Sequence, residues 1–287
     1  MEKLLFQENR SLKDLCTFGI GGMARYYMEV RSVQEMQHAL QTCLEKRLPY
    51  FILGKGSNCL FDDHGINGVV ILNKIDFLKK ISDQIFHVGA GYSFSLLGTQ
   101  TARQGLSGLE FAAGIPGTVG GAVYMNAGAN GHETCESLIS VDFLDEEGGL
   151  HLLKKDEIEF SYRTSSFQGM PGAIVGATFA LTPFQEARAK QLEIISYRKK
   201  TQPYNQMSAG CVFRNPVCGH AGALIEQSGL KGISVGDAKV SELHANFIVN
   251  SNSASSEDVL ALIALIKQQV YQKTGIKLES EVRYISF

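Results

Sequence analysis

The sequence predicts an α+β fold, and three observations carry that reading: a β-α-β start, a strong hairpin signal in the middle, and a well-capped long helix before a final strand. With 287 residues the chain exceeds one ordinary core, so two or three packed subdomains are expected. Met23 to Val30 reads as a strand. Ser32 with Glu35 three residues later forms a capping-box start for a helix to about Lys46, followed by the strand Tyr50 to Leu53, which stops at Gly54. Val69 to Leu72 adds a strand. Ile81 to Gly91 gives another around a Ser-Asp-Gln turn, and Ser93 to Gln104 is helical with Leu96, Leu97 and Ala102 facing inward.

Between Leu138 and Leu153, two apolar runs flank Asp-Glu-Glu-Gly-Gly, a hairpin pattern, and Ala173 to Leu181 is apolar enough for a buried strand. Glu186 to Lys200 is a charged amphipathic helix that marks the boundary to a second region. There, Gly222 to Ser228 is a short helix and His244 to Asn250 a strand. Ser255 caps a helix that stops near Gly275, and Lys277 to Ile285 forms the last strand.

Composition narrows the function. Basic residues number 27 and acidic residues 29, with no sustained basic stripe, which excludes a nucleic-acid partner from the expectation. The opening MEKLLFQENRSLKD is too briefly apolar for a signal-peptide core or a membrane span, so a cytoplasmic protein is expected. Six scattered cysteines without a C-x-x-C pair, and histidines without H-x-x-x-H spacing, leave no metal site; most of the cysteines read as reduced, buried, small hydrophobes.

Thirty glycines are well above average usage, and nine of them fall in three loops: Gly19-Ile-Gly-Gly22, Gly54-Lys-Gly-Ser-Asn58 and Gly114-Ile-Pro-Gly-Thr-Val-Gly-Gly121. Such loops let backbone N–H groups converge on phosphate oxygens. One loop alone reads as a tight turn; three together read as ligand contact. Neither a Rossmann fingerprint nor a P-loop fits, because Gly19 to Ala24 precedes a strand and no G-x-x-x-x-G-K-[ST] frame exists. Gly114, Gly117 and Gly120, with Pro116 between, predict an extended, rigid backbone that also places Tyr124 and Asn126 near its ligand.

Thr17-Phe-Gly-Ile-Gly-Gly22, Leu53-Gly-Lys-Gly-Ser-Asn58, the run from Gly108-Leu-Glu-Phe through Tyr124-Met-Asn-Ala-Gly128, Tyr162-Arg-Thr-Ser165 and His244-Ala-Asn-Phe-Ile-Val-Asn250 together resemble the signature blocks of the UDP-N-acetylenolpyruvoylglucosamine reductases, the MurB family. The resemblance spans nearly the whole chain. It implies an N-terminal lead (1–19) packed on a two-lobed FAD-binding region of the PCMH/VAO type (20–186, lobes about 20–75 and 76–186), then an α+β substrate-binding domain (187–287). The short stretch between Phe167 and Gln206 leaves no room for an extra tyrosine-bearing loop, so the shorter type of the family is implied. FAD would be cradled by Gly54, Lys55, Gly56, Ser57 and Asn58 and by Gly114, Ile115, Pro116, Gly117, Gly120 and Gly121. It would be non-covalent, since Gly54 to Asn58 contains no histidine and His64 reads as a surface-loop residue.

The implied reaction reduces the enolpyruvyl ether of a UDP-sugar: NADPH reduces FAD, then hydride goes to C3 and a proton to C2. It requires a cation or acid beside the substrate carboxylate and a proton donor at C2. Arg163 matches the family's catalytic arginine, and its guanidinium fork suits a carboxylate. Glu281 matches the catalytic glutamate; period-two alternation puts Glu279, Glu281 and Arg283 on one face, with Leu278 and Val282 on the other. Ser280 stands where the family usually has proline. Cys211, in Ser208-Ala-Gly-Cys-Val-Phe-Arg-Asn-Pro216, stands where serine is common, and a thiol, ordinarily titrating at about 8.5, can donate a proton as well. Tyr124, Lys199 and Asn215 are placed like substrate-binding residues, Lys199 toward the UDP phosphates, while Arg198 reads as a helix-face charge and Cys218 has no such match. A monomer is expected. Two other readings remain open: a flavin oxidase of the same fold acting on an alcohol or sugar, and a nucleotide-binding module without turnover.

Overall fold

The computed structural model describes residues 6–287. Residues 1–5 of the expected lead lie outside the described residues. The described residues divide into two compact units, the first made of residues 6–7, 26–55 and 68–198 and the second of 8–25, 56–67 and 199–287. This differs from three contiguous stretches. Phe18, Ile20 and Leu60 are fully buried in a core whose other members come from residues 209–282, so most of the expected lead, and the segment after the second glycine loop, belong with the C-terminal residues.

In the first unit, helix α1 (Val33–Glu45) begins where Ser32 Oγ accepts the Glu35 amide (3.2 Å). The Glu35 carboxylate reaches back to the Arg31 amide (2.6 Å), one residue beyond the partner a capping box uses. Met36, Ala39, Leu40 and Cys43 form the buried stripe of α1. Strand Tyr50–Leu53 pairs in parallel with Val69–Leu72, inside the strand Ile66–Asn73.

A five-stranded antiparallel sheet follows, in the order Leu150–Lys154, Leu138–Asp145, Gly172–Ala180, Ile85–Gly89, Leu78–Lys80. Its centre is Gly172–Ala180, buried on both faces. Ala173 and Val175 join the core that holds α1, whereas Ile174, Ala177 and Phe179 join the core that holds helices α2 (Phe94–Arg103) and α3 (Val119–Tyr124). Two-sided burial explains why this strand reads as continuous small and branched apolar residues. The strand expected from Ile81 starts at Ile85, as the second arm of a hairpin whose first arm, Leu78–Lys80, is too short and charged to show a pattern. In α2 the buried face is Phe94, Leu97, Gly98, Thr101 and Ala102. Leu96 is 45% exposed, one residue or about 100° away from Leu97 around the helix. Helix α4 (Ala187–Thr201) buries only Ala187, Gln191 and Ile194, a narrow stripe in a charged helix.

In the second unit a four-stranded antiparallel sheet runs in the order Met207–Cys211, Phe247–Asn250, Ala238–Val240, Ser234–Val235. Helices α5 (Ala221–Gln227) and α6 (Ser256–Thr274) supply Ile225, Val259, Leu262, Ile266 and Val270 to the core with Val240 and Ile248. The ends of α6 follow the sequence: Ser255 and Asp258 cap each other's amides at 3.0 Å, and Gly275 closes the helix at φ +72°.

The expected last strand, Lys277 to Ile285, forms only over Arg283–Ile285, parallel to Cys59–Phe61. The segment before it changes neighbours. Glu279 accepts from the Arg214 amide (2.9 Å), the Glu281 amide donates to Val212 (2.7 Å), and the Arg283 amide donates to Asn58 (3.0 Å), so no single ladder is long enough to make one strand. The alternation nonetheless holds, with Leu278 and Val282 buried and Glu279, Glu281 and Arg283 on the open side.

Only Cys43 and Cys59 of the six cysteines are buried; Cys16, Cys135 and Cys211 are half-buried and Cys218 is exposed. Burial pushes the Cys43 and Cys59 thiols up to about 12, so both stay protonated and unreactive. No helix among the described residues is long and apolar enough to cross a membrane.

Candidate active site

The glycine block departs from the extended backbone expected of it. Glu110–Gly114 is a 3-10 turn, Ile115 and Thr118 are extended with a bend at Gly117 between them, and Val119 opens α3. Thr118 Oγ1 caps α3 by accepting the Gly121 amide (3.3 Å). Gly120 lies on Ala90, donating to its carbonyl (2.8 Å), and a Cβ there would stand 2.9 Å from the Ala90 Cβ. Gly54 meets the same cap, since a Cβ on it would stand 2.5 Å from Thr118 Oγ1. Two loops sixty residues apart thus converge at one helix start. Gly114 is buried, Ile115, Gly117 and Gly120 are half-buried, and Pro116 and Gly121 are exposed. Among the described residues the amides of Gly117 and Thr118 make no hydrogen bond. Unused amides beside exposed glycine, at the start of a helix, fit an anionic group such as the pyrophosphate of FAD.

The 3-10 turn has its own clamp. Glu110 is 3% exposed and accepts from Ser107 Oγ and from the Gly108 amide, each at 2.7 Å. Burial pushes its carboxyl up, but these bonds, with Lys190 3.8 Å away, outweigh burial and hold it below the usual carboxylate range. A lowered folded value means the clamp's stabilisation is complete above the unfolded value, about 4.3, and is lost as pH falls through the folded one. Glu110→Gln should therefore lower stability at neutral pH by about 1–3 kcal/mol and flatten the acid limb of a urea-denaturation series, whereas an unchanged acid limb would exclude Glu110 from acid unfolding.

In the second unit, one glycine from each of the other two loops packs closely against protein. Gly56 sits at φ +64° with the Leu15 carbonyl where a Cβ would go, and its carbonyl accepts the Thr17 amide (3.2 Å). Gly21, at φ +140°, leaves 2.7 Å between a built Cβ and the Phe61 Cβ. Close packing by itself requires glycine at these two positions. Asn58 donates through Nδ2 to the Glu281 carbonyl (3.3 Å), so its amide also anchors the C-terminal segment, while Lys55 is exposed and Ser57 half-buried.

Arg163 lies in the first unit, in the two-residue turn between Phe160–Ser161 and Thr164–Ser165. Its φ is +59°, a conformation usually left to glycine or asparagine. Nη2 donates to the Gly128 carbonyl (2.9 Å), and the guanidinium carbon lies 4.7 Å over the Tyr162 ring. Asn126 and Tyr124 hold the hairpin in place. Asn126 is fully buried, donates to Glu133 Oε2 (2.8 Å) and to the Ser161 carbonyl (3.1 Å), and accepts from the Cys135 amide (3.1 Å). The Tyr124 carbonyl accepts from Ser165 Oγ (2.7 Å) and from Gln168 Nε2 (3.1 Å), and that Nε2 also lies 3.2 Å from the Arg163 carbonyl. Asn126, expected beside a ligand, is instead spent on the protein, and its partners 7 to 35 residues away leave no local pattern to read.

Cys211 lies in the second unit at the end of Met207–Cys211, just past a β-bulge that separates Ser208 from it and holds Gly210 at φ +75°. A bulge re-aims the next side chain. The Glu281 amide bonds to the carbonyl of Val212, adjacent to Cys211 (2.7 Å), so these two expected site residues stand on neighbouring chains. Asn215 Oδ1 accepts the Ala221 amide (3.0 Å) and caps α5, a use the sequence did not reveal. Lys199 is exposed in the last turn of α4.

An α+β chain with glycine loops joined at a helix start, and with a cation held on a strained hairpin, is laid out as an FAD-binding oxidoreductase, and residues 24–154 match the FAD binding domain family. Residues 202–285 match the family described as UDP-N-acetylenolpyruvoylglucosamine reductase, C-terminal domain. The chain belongs to the UDP-N-acetylenolpyruvoylglucosamine reductase family. It is 64% identical to the enzyme of that name from Protochlamydia amoebophila over 98% of this chain and 94% of the relative. Against the Chlamydia muridarum enzyme it is 49% identical over 98% of this chain and 95% of the relative. The crystal structure of the reductase (MurB) from Thermus caldophilus superposes with a TM-score of 0.82 at 37% identity, covering 97% of this chain and 99% of that one.

Proposed function

We propose that this chain reduces UDP-N-acetylglucosamine enolpyruvate to UDP-N-acetylmuramate with NADPH, in the cytoplasm, as a step in supplying peptidoglycan precursors for cell shape and division. The observation that supports the site reading is the Glu281 amide bond to the Val212 carbonyl (2.7 Å), which brings the backbone of Glu281 alongside the residue that follows Cys211. FAD, when bound by Gly54 to Asn58 and by Ile115, Pro116, Gly117 and Gly121, supplies the hydride chemistry. Arg163 meets the substrate carboxylate and keeps its full charge as electron density moves toward it. Cys211 gives its proton to C2, and Glu281 orients that donor. Lys199 faces the diphosphate; Tyr124 and Asn215 border the sugar. Nothing basic in the chain's balance calls for nucleic acid, and a monomer is the working assembly.

The alcohol or sugar oxidase reading is the weaker one, because oxidising an alcohol needs no carboxylate-binding cation paired with a proton donor. Purified, FAD-loaded protein tests the choice. NADPH oxidation should rise at least tenfold on adding the UDP-enolpyruvyl sugar, with one sugar reduced per NADPH; a rate indifferent to the sugar overturns the proposal.

A further inference from the structure

We propose that Asn246 is a positioning residue for the proton transfer: its side chain extends the sheet by one rung and so sets where Cys211 points. The inference rests on the reading of Cys211 as donor. The main-chain ladder between Met207–Cys211 and Phe247–Asn250 ends at the pair Cys211 and Phe247. Beyond it the Val212 amide donates to the Asn246 carbonyl (2.8 Å). Asn246 then replaces the missing peptide: Oδ1 accepts from the Phe213 amide (3.0 Å) and Nδ2 donates to the Phe213 carbonyl (2.8 Å).

An amide is the one side-chain group that offers an acceptor and a donor at peptide spacing. Both partners are backbone atoms, so its orientation is fixed. Asn246 is 3% exposed, and its bonds therefore do not compete with water. On the opposite edge, Val212 and Phe213 meet the C-terminal segment through the Glu281 amide (2.7 Å) and the bridge of Phe213 to Ser280. The two residues after Cys211 are thus gripped from both sides. The bulge at Gly210 before Cys211 frees the chain's direction; the Asn246 rung after it takes that freedom away.

Asn246→Asp keeps the shape and the acceptor but turns a donor into a carboxylate oxygen facing the Phe213 carbonyl. Reoxidation of the reduced flavin by the UDP-enolpyruvyl sugar should slow roughly 100-fold, the loss typical of a reacting group displaced by about 1 Å. Flavin reduction by NADPH should stay within about twofold, because that step asks nothing of Cys211. The solvent deuterium effect on reoxidation should grow. Alkylation of Cys211 by iodoacetamide, mapped by mass spectrometry with exposed Cys218 as internal control, should change several-fold; a loss of stability alone would not select one thiol. The double variant Cys211→Ala with Asn246→Asp should be no slower than Cys211→Ala. If Asn246→Asp fails to fold, Asn246→Ser, which keeps one of the two bonds, replaces it. A slow Cys211→Ala beside normal reoxidation and normal labelling in the Asn246 variant overturns this inference alone, whereas normal reoxidation in Cys211→Ala overturns the donor reading and this inference with it.

Discussion

An enzyme carrying Cys211→Ala should accept electrons from NADPH at close to the wild-type rate and then stall, with flavin reoxidation by the UDP-enolpyruvyl sugar slowed roughly 10³-fold. That figure lies inside the 10²–10⁴ range a positioned acid commonly supplies, and corresponds to about 4 kcal/mol of barrier. The expectation follows from placement as much as from the residue type. Cys211 sits at a half-buried position after a bulge, with a strand partner at Phe247 on one side and, through Val212, the chain of Glu281 on the other. Cys211→Ser should keep much of the rate, because a hydroxyl on the same carbon still donates along the same line. Stopped-flow absorbance separates the two half-reactions, and equal reoxidation in the alanine variant removes Cys211 from the chemistry.

Arg163→Gly should show activity and stability parting company. Loss of the cation should lower kcat/KM by about 10²–10³. Stability should move by only about 1 kcal/mol, because two effects oppose each other. Releasing a non-glycine residue from φ +59° returns about 1–2 kcal/mol. Against that stand the lost bond to Gly128 and the lost Tyr162 contact, each worth about 1 kcal/mol on a half-exposed turn. Arg163→Lys keeps both charge and strain but loses the fork, and should fall between the two in rate. Thermal denaturation beside steady-state turnover checks this, and a fall in Tm that accounts for the lost activity would show that Arg163 is there for the fold.

Strained backbone at a functional side chain is the expected sign of a conformation that the surroundings impose, and Asn126, Gln168 and Ser165 are those surroundings.

Local signals were legible in the sequence, and remote ones were not. Ser255 with Asp258, and Gly275, mark both ends of the last helix because caps act over a few residues. The buried central strand shows itself as an apolar run because both of its faces are covered. Arg163, Cys211 and Glu281 are proposed from the resemblance of the motifs around them, not from periodicity. The glycines were visible as glycines, yet the sequence does not say which ones make room for protein: Gly21 and Gly56 face Phe61 and Leu15, whereas Gly121 opens outward. The structural role of Asn126, expected beside a ligand, and that of Asn246 were not legible, because a side-chain amide bonded 35 or 33 residues away leaves no mark on its neighbours. The short edges Leu78–Lys80 and Ser234–Val235 were hidden for a simpler reason, being shorter than any period they could show.

The parallel pairing of Cys59–Phe61 with Arg283–Ile285 sets a timetable for the newborn chain. The earlier strand emerges from the ribosome with its partner still unmade, and at 5–20 residues per second the wait is roughly 10–45 s. Until then three buried residues, Cys59, Leu60 and Phe61, have an uncovered edge of the kind that attracts other strands. Charged Asp62 and Asp63 follow at once, with Gly65 close behind, so the exposed apolar stretch ends in a gatekeeper pair that discourages association while synthesis runs to the last residues.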